Sequence, residues 1–131
     1  MKKICRFIVV DDDPVNNALC KMIIQMTLGK IDVKTFTLPE KGFQFIESEY
    51  DHKNIGTDSI ILLDLNMPIM SGWEFLERFK ELDESIKKQF KIYILSSSVD
   101  PRDKKRAEEN ENVVDYIVKP ITKEIVLSIL S

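Results

Sequence analysis

The chain has 131 residues, 44% hydrophobic and 31% charged, with a formal net charge of -3 at pH 7. That length fits one domain, residues 1–131, able to bury about two-thirds of the surface its unfolded form exposes. The composition excludes disordered and fibrous classes, the acidic balance argues against direct binding to nucleic acid or anionic lipid, and no window approaches the roughly 20 apolar residues of a membrane span.

The β-branched run from Ile4 to Val10 predicts a first strand, which leads directly into Asp11, Asp12, Asp13 and Pro14. Arg6 and the three aspartates deny this segment the form of a signal peptide, so a cytoplasmic location is expected. Asp13 reads as the cap and Pro14 as the first residue of a helix. Val15, Ala18, Leu19, Met22, Ile23 and Met26 recur at spacings of three and four and predict its apolar stripe, with Gly29 closing it. Ile31 to Phe36 predicts a second strand, and Pro39 to Tyr50 a helix of moderate amphipathicity. The polar stretch Asp51–Asp58 reads as a loop, with His52 incidental in it.

Ile60 to Leu63 predicts the strongest strand, ending on Asp64. Pro68 forces an extended turn at Met67, and Ser71 and Gly72 lead into a helix carrying Trp73, Phe75, Leu76 and Phe79, which the charged run Glu81–Gln89 terminates. Ile92 to Leu95 predicts a fourth strand that ends on Ser96, Ser97 and Ser98. Pro101–Asn110 is a charged helix with a weak apolar stripe. Val113 to Val118 predicts a fifth strand that ends on Lys119 and Pro120, followed by a closing helix through Ile125, Val126, Ile129 and Leu130. Cys5 and Cys20 fall in apolar surroundings without metal-ligand spacing, and read as small buried hydrophobes.

Apolar strands alternating with helices predict an α/β fold, a doubly wound five-stranded parallel sheet with five helices on both faces. Function in such folds lies beyond the carboxyl ends of the strands. Asp11, Asp12 and Asp64 would meet there. Packed carboxylates raise one another's pKa, and a hard cation such as Mg²⁺ relieves that cost with few protein oxygens. Lys119 is placed to neutralise Asp64 at rest and to bind phosphoryl oxygens afterwards. A carboxylate so held is a nucleophile toward phosphorus, and Ser96 can donate to a new phosphoryl oxygen and draw its loop inward.

The segments Val10–Pro14, Leu63–Gly72 and Tyr116–Pro120 resemble, in order and spacing, the three signature regions of receiver domains, the response-regulator modules of two-component phosphorelays, of the stand-alone chemotaxis-regulator type. The resemblance covers nearly the whole chain and implies a flavodoxin-like sheet of order 2-1-3-4-5. It implies Asp64 as phosphoacceptor, Asp12 as a direct Mg²⁺ ligand, Asp11 as a ligand through water, and the main-chain carbonyl of Asn66 as a further ligand. Lys119 would contact the phosphoryl group, Pro120 would follow a cis peptide bond, Ser96 would be the switch hydroxyl and Tyr116 the switch aromatic. Ser97 competes with Ser96 for the hydroxyl position because the serine run is long.

The partners implied are a sensor histidine kinase or histidine phosphotransfer protein and a downstream protein target, with the chain a monomer or a weak phosphorylation-dependent dimer rather than an enzyme. Two other readings remain. Asp11, Asp12, Asp13, Pro14 and Val15 also satisfy the pattern of a haloacid-dehalogenase phosphohydrolase with Asp11 as nucleophile and Asp13 as acid/base, which leaves Asp64 without a role. A receiver-like scaffold that is never phosphorylated is the other.

Overall fold

A computed structural model of the chain describes residues 3–48 and 57–130. Strands β1 (Lys3–Val10), β2 (Asp32–Phe36), β3 (Thr57–Leu63), β4 (Phe90–Ser96) and β5 (Val113–Val118) run parallel in one sheet of order β2-β1-β3-β4-β5. Helices α1 (Pro14–Leu28), α2 (Pro39–Ser48), α3 (Gly72–Lys80), α4 (Glu84–Lys87), α5 (Pro101–Glu108) and α6 (Lys123–Leu130) connect and cover them. None of these helices is long and apolar enough to cross a membrane.

Successive side chains of a strand point to opposite faces, so the central strands feed two cores. Ile8, Val10, Ile61, Leu63, Ile92 and Ile94 join Phe43 and Ile46 of α2, Phe75 and Phe79 of α3 and Ala107 of α5. Phe7, Val9, Ile60, Leu62 and Leu95 join Cys20 and Ile24 of α1 and Val126 and Ile129 of α6. Burial on both faces explains why Phe7–Val10 of β1 and Ile60–Leu63 of β3 read as unbroken apolar runs. The edge strands differ. In β2 only Val33 is buried, and in β5 Val114, Asp115 and Val118 are exposed, because an edge strand is covered less completely.

Three further expectations are corrected. The helices number six among the described residues, since the charged run after α3 contains the extra turn α4. Thr57 and Asp58 belong to β3 rather than to a loop, and Asp58 is buried with its carboxylate 3.3 Å from Lys91. The rest of that loop, with His52, lies outside the described residues. The stripe predicted for α1 faces the wrong way: Val15 is 74% and Met26 77% exposed, whereas Asn16, Asn17, Cys20 and Ile24 are buried. The helix carries two overlapping apolar arcs, and the one that meets β1 contains the asparagines.

The ends of α1 do follow its sequence. Asp13 caps it by accepting from the Val15 N–H at 2.9 Å, Pro14 opens it, and Gly29 closes it at φ 78. Helix α5 buries only Ala107, as its charge pattern predicts.

Candidate functional site

Strand hydrogen bonding extends past the strand ends and sets the site backbone. The Asp11 N–H donates to Phe36 O at 3.0 Å, the Asp64 N–H to Val10 O at 3.0 Å, and the Lys119 N–H to Ser96 O at 2.9 Å. The site residues therefore extend the ladder of the strands before them, although Asp11 and Asp64 are far apart in the chain.

Asp11, Asp12 and Asp64 converge, with one carboxylate oxygen from each lying within 4.8 Å of the others. Asp11 and Asp64 are 2% and 5% exposed, while Asp12 stands at the open rim. Both carboxylate oxygens of Asp11 are engaged. Its Oδ1 accepts from the Asp13 N–H at 2.9 Å, and its Oδ2 from Asn16 Nδ2 at 2.8 Å and Lys119 Nζ at 2.7 Å. Lys119 Nζ lies 3.6 Å from Asp64 Oδ1, so at rest the lysine is bound chiefly to Asp11 and only secondarily to the aspartate it was expected to neutralise.

The electrostatics follow. Burial, and then the charge of Asp11, push Asp64 up to about 6, against the pull of Lys119 and of the Asn66 N–H on its carboxylate. Burial lowers the Lys119 pKa, but Asp11 and Asp64 outweigh it and the ammonium titrates above its ordinary value. Three hard oxygen donors against one cation form a donor set that suits a divalent ion such as Mg²⁺. Asn66 is exposed two residues beyond Asp64, and the Lys119–Pro120 peptide bond is cis.

The serine run resolves into three environments. Ser96 is fully buried at the end of β4, Ser97 is exposed, and Ser98 is a junction. The Ser98 N–H donates to Ser96 Oγ at 3.1 Å, its hydroxyl to Asp103 at 2.7 Å, and its carbonyl accepts from the Tyr116 hydroxyl at 2.8 Å. Ser96 and Tyr116 are thus joined through one residue that sequence reasoning left unassigned.

Two more residues escaped the sequence reading. Asn16 donates to Asp11, as above. A Cβ placed on Gly72 would stand 2.4 Å from the carbonyl oxygen of Asp64 and 2.9 Å from the Leu65 Cα. Its signals were weak: an asparagine pair inside a helical pattern, and a glycine that reads as an ordinary helix lead. Asp13, by contrast, caps α1 with its Oδ1 and stands outside the cluster of Asp11, Asp12 and Asp64.

Comparison with known proteins gives a consistent picture. A family model described as the response regulator receiver domain matches residues 7–131. A two-component response regulator of Oryza sativa subsp. japonica is 28% identical over 120 residues, covering 90% of this chain and 50% of that protein, so the chain spans about half the length of this relative. A solved two-component response regulator from Cytophaga hutchinsonii is 31% identical with a TM-score of 0.84, covering 98% of this chain and 94% of that one. A response regulator receiver protein from Dyadobacter fermentans is 27% identical with a TM-score of 0.85, covering 97% and 94%.

Proposed function

This chain belongs to the response regulator receiver domain family, and from that premise we propose that it is a phosphoacceptor switch of a two-component phosphorelay, with Asp64 as acceptor and Mg²⁺ as cofactor. The observation that carries the reading is the convergence of Asp11, Asp12 and Asp64 with Lys119 across them. Asp12 would ligate the metal directly, Asp11 through water, and Asn66 by its main-chain carbonyl. When bound, the ion supplies countercharge to the crowded carboxylates and to phosphoryl oxygens.

An Asp64 oxygen attacks the phosphorus of a phosphohistidine. The O–P bond forms as the P–N bond breaks, and the histidine ring leaves neutral with one proton on its other nitrogen. The chain's own work is alignment and charge dispersal. Lys119 turns from Asp11 to a phosphoryl oxygen. Ser96, whose Oγ accepts from Ser98 at rest, donates its hydroxyl proton to another phosphoryl oxygen and draws the 97–100 loop with it. That loop holds the Tyr116 hydroxyl, so the acceptor's state is passed to the surface around β5 and α5. Water attack on the acyl phosphate resets the switch, with Asn66 and Ser97 flanking the path and tuning its lifetime.

The protein is a signalling switch rather than an enzyme acting on a separate substrate. Its partners are a sensor histidine kinase or histidine phosphotransfer protein upstream and a protein target downstream. It works in the cytoplasm as a monomer or weak phosphorylation-dependent dimer, without contacting nucleic acid or inserting in a membrane. Incubation with Mg²⁺ and acetyl phosphate followed by intact-mass measurement tests the reading. Wild type is expected to gain one phosphate and Asp64→Asn none. A folded, Mg²⁺-binding wild type that gains no mass points to the unphosphorylated scaffold.

A further inference from the structure

An asparagine on the buried face of a helix needs a partner, because an unpaired amide is costly away from water. Asn16, in the first turn of α1, is 8% exposed and gives its Nδ2 proton to Asp11 Oδ2 at 2.8 Å. One turn further on, Cys20 is fully buried. Its thiol is pushed up to about 12 by burial and by the charge of Asp11, so it adds no charge to this side of α1.

The second donor on Asp11 Oδ2 is Lys119 at 2.7 Å, and this same ammonium lies 3.6 Å from Asp64 Oδ1. Any new anionic charge on Asp64 draws Lys119 away from Asp11. Asp11 Oδ2, in a carboxylate that is 2% exposed, would then be left with the Asn16 amide alone. A cationic side chain at position 16 would compete with a metal ion for the same carboxylate. A neutral amide donates without altering the charge of the pocket.

We propose that Asn16 is a positioning residue that acts through Asp11: it holds the Asp11 carboxylate in one orientation and keeps Oδ2 hydrogen-bonded while Lys119 moves to Asp64. The proposal rests on the reading of Asp64 as phosphoacceptor. Without this amide, Asp11 depends on Lys119 for its Oδ2 partner, and lysine transfer and metal ligation are both impaired.

The test uses the full chain with Asn16→Leu, which keeps the size and removes the donor, and Asn16→Gln, which keeps the amide on a longer arm. Phosphorylation by acetyl phosphate at saturating Mg²⁺ is followed by intact mass, and Mg²⁺ affinity by calorimetric titration with the metal alone. Loss of a hydrogen bond that orients a metal-ligating carboxylate costs about 10-fold or more in affinity or rate, and Asn16→Leu is expected to show this, with Asn16→Gln recovering most of it. In an Asp11→Asn background, Asn16→Leu is expected to change Mg²⁺ affinity by less than about twofold, because the partner it acts through is already gone.

Wild-type behaviour in folded Asn16→Leu overturns the proposal, and so does an equal loss of Mg²⁺ affinity with and without the Asp11 carboxylate. If Asn16→Leu does not fold, Asn16→Ala, smaller and likewise without a donor, takes its place in the rate measurement, where a rate equal to wild type overturns the proposal. A wild type that takes no phosphate defeats the phosphoacceptor reading instead, and the Mg²⁺ titrations still decide whether Asn16 acts through Asp11.

Discussion

Gly72 N donates to Leu65 O at 2.9 Å, and a methyl group on Gly72 would stand 2.4 Å from the backbone oxygen of Asp64. The first turn of α3 therefore lies directly on the backbone that carries the acceptor. Gly72→Ala must push α3 or the end of β3 aside. It is expected to cost about 1–3 kcal/mol, the usual range for overpacking, and to slow phosphorylation of Asp64 more than its stability loss explains. Urea unfolding and acetyl phosphate kinetics on the same preparation check both. Unchanged kinetics would show that the site tolerates the shift.

The elevated Asp64 pKa, about 6 against an ordinary 3.8, predicts a stability profile with a definite sign. The folded state holds a proton on Asp64 more tightly than the unfolded state does. That contribution is complete below about pH 4 and is lost as pH rises through 6, amounting to on the order of 1–3 kcal/mol. In Mg²⁺-free buffer Asp64→Asn is expected to be more stable than wild type at pH 7.5 and to lose that advantage near pH 4. Adding Mg²⁺ should narrow the gap at pH 7.5. Thermal unfolding across pH, with and without the metal, measures it.

Helix α1 separates its two apolar arcs. Ile24 is fully buried and Met26 is 77% exposed, so Ile24→Ala is expected to cost about 2–5 kcal/mol and Met26→Gln less than about 0.5 kcal/mol. Denaturant midpoints of the two variants decide the orientation. Equal costs would mean that the exposed arc is covered in solution.

Ser98 gathers four hydrogen bonds of the switch region. Ser98→Ala removes only the hydroxyl link to Asp103 and the acceptor for the Asp100 N–H, with an expected loss of about 1 kcal/mol. Amide exchange at Asp100 should accelerate while that of Ile94 in β4 stays unchanged, since local opening reports local hydrogen bonds. Phosphorylation by acetyl phosphate should remain within about twofold of wild type, because neither lost bond touches Asp64.

The fold was legible because burial on both faces of a parallel sheet writes itself as apolar runs, and β1, β3 and β4 carry such runs up to their functional ends. Asp11, Asp12, Asp64, Ser96 and Lys119 were readable as strand-end residues before any contact was known. The short α4 was hidden in a charged run, because a single turn stabilised by local hydrogen bonds needs no apolar stripe.

What the sequence determined by itself was the order of elements and the set of groups presented at one sheet edge, since both follow from local periodicity and from where each strand stops. Tertiary structure alone decided the pairings. Two apolar arcs compete on α1, and which one faces β1 depends on partners that local spacing does not encode. Asn16 is buried because Asp11 is there to receive its amide, and Gly72 is needed because Asp64 passes within contact distance. Lys119 sits with Asp11 before Asp64 because the attraction between charges is set by distances across the sheet edge, and those exist only once the strands are in register.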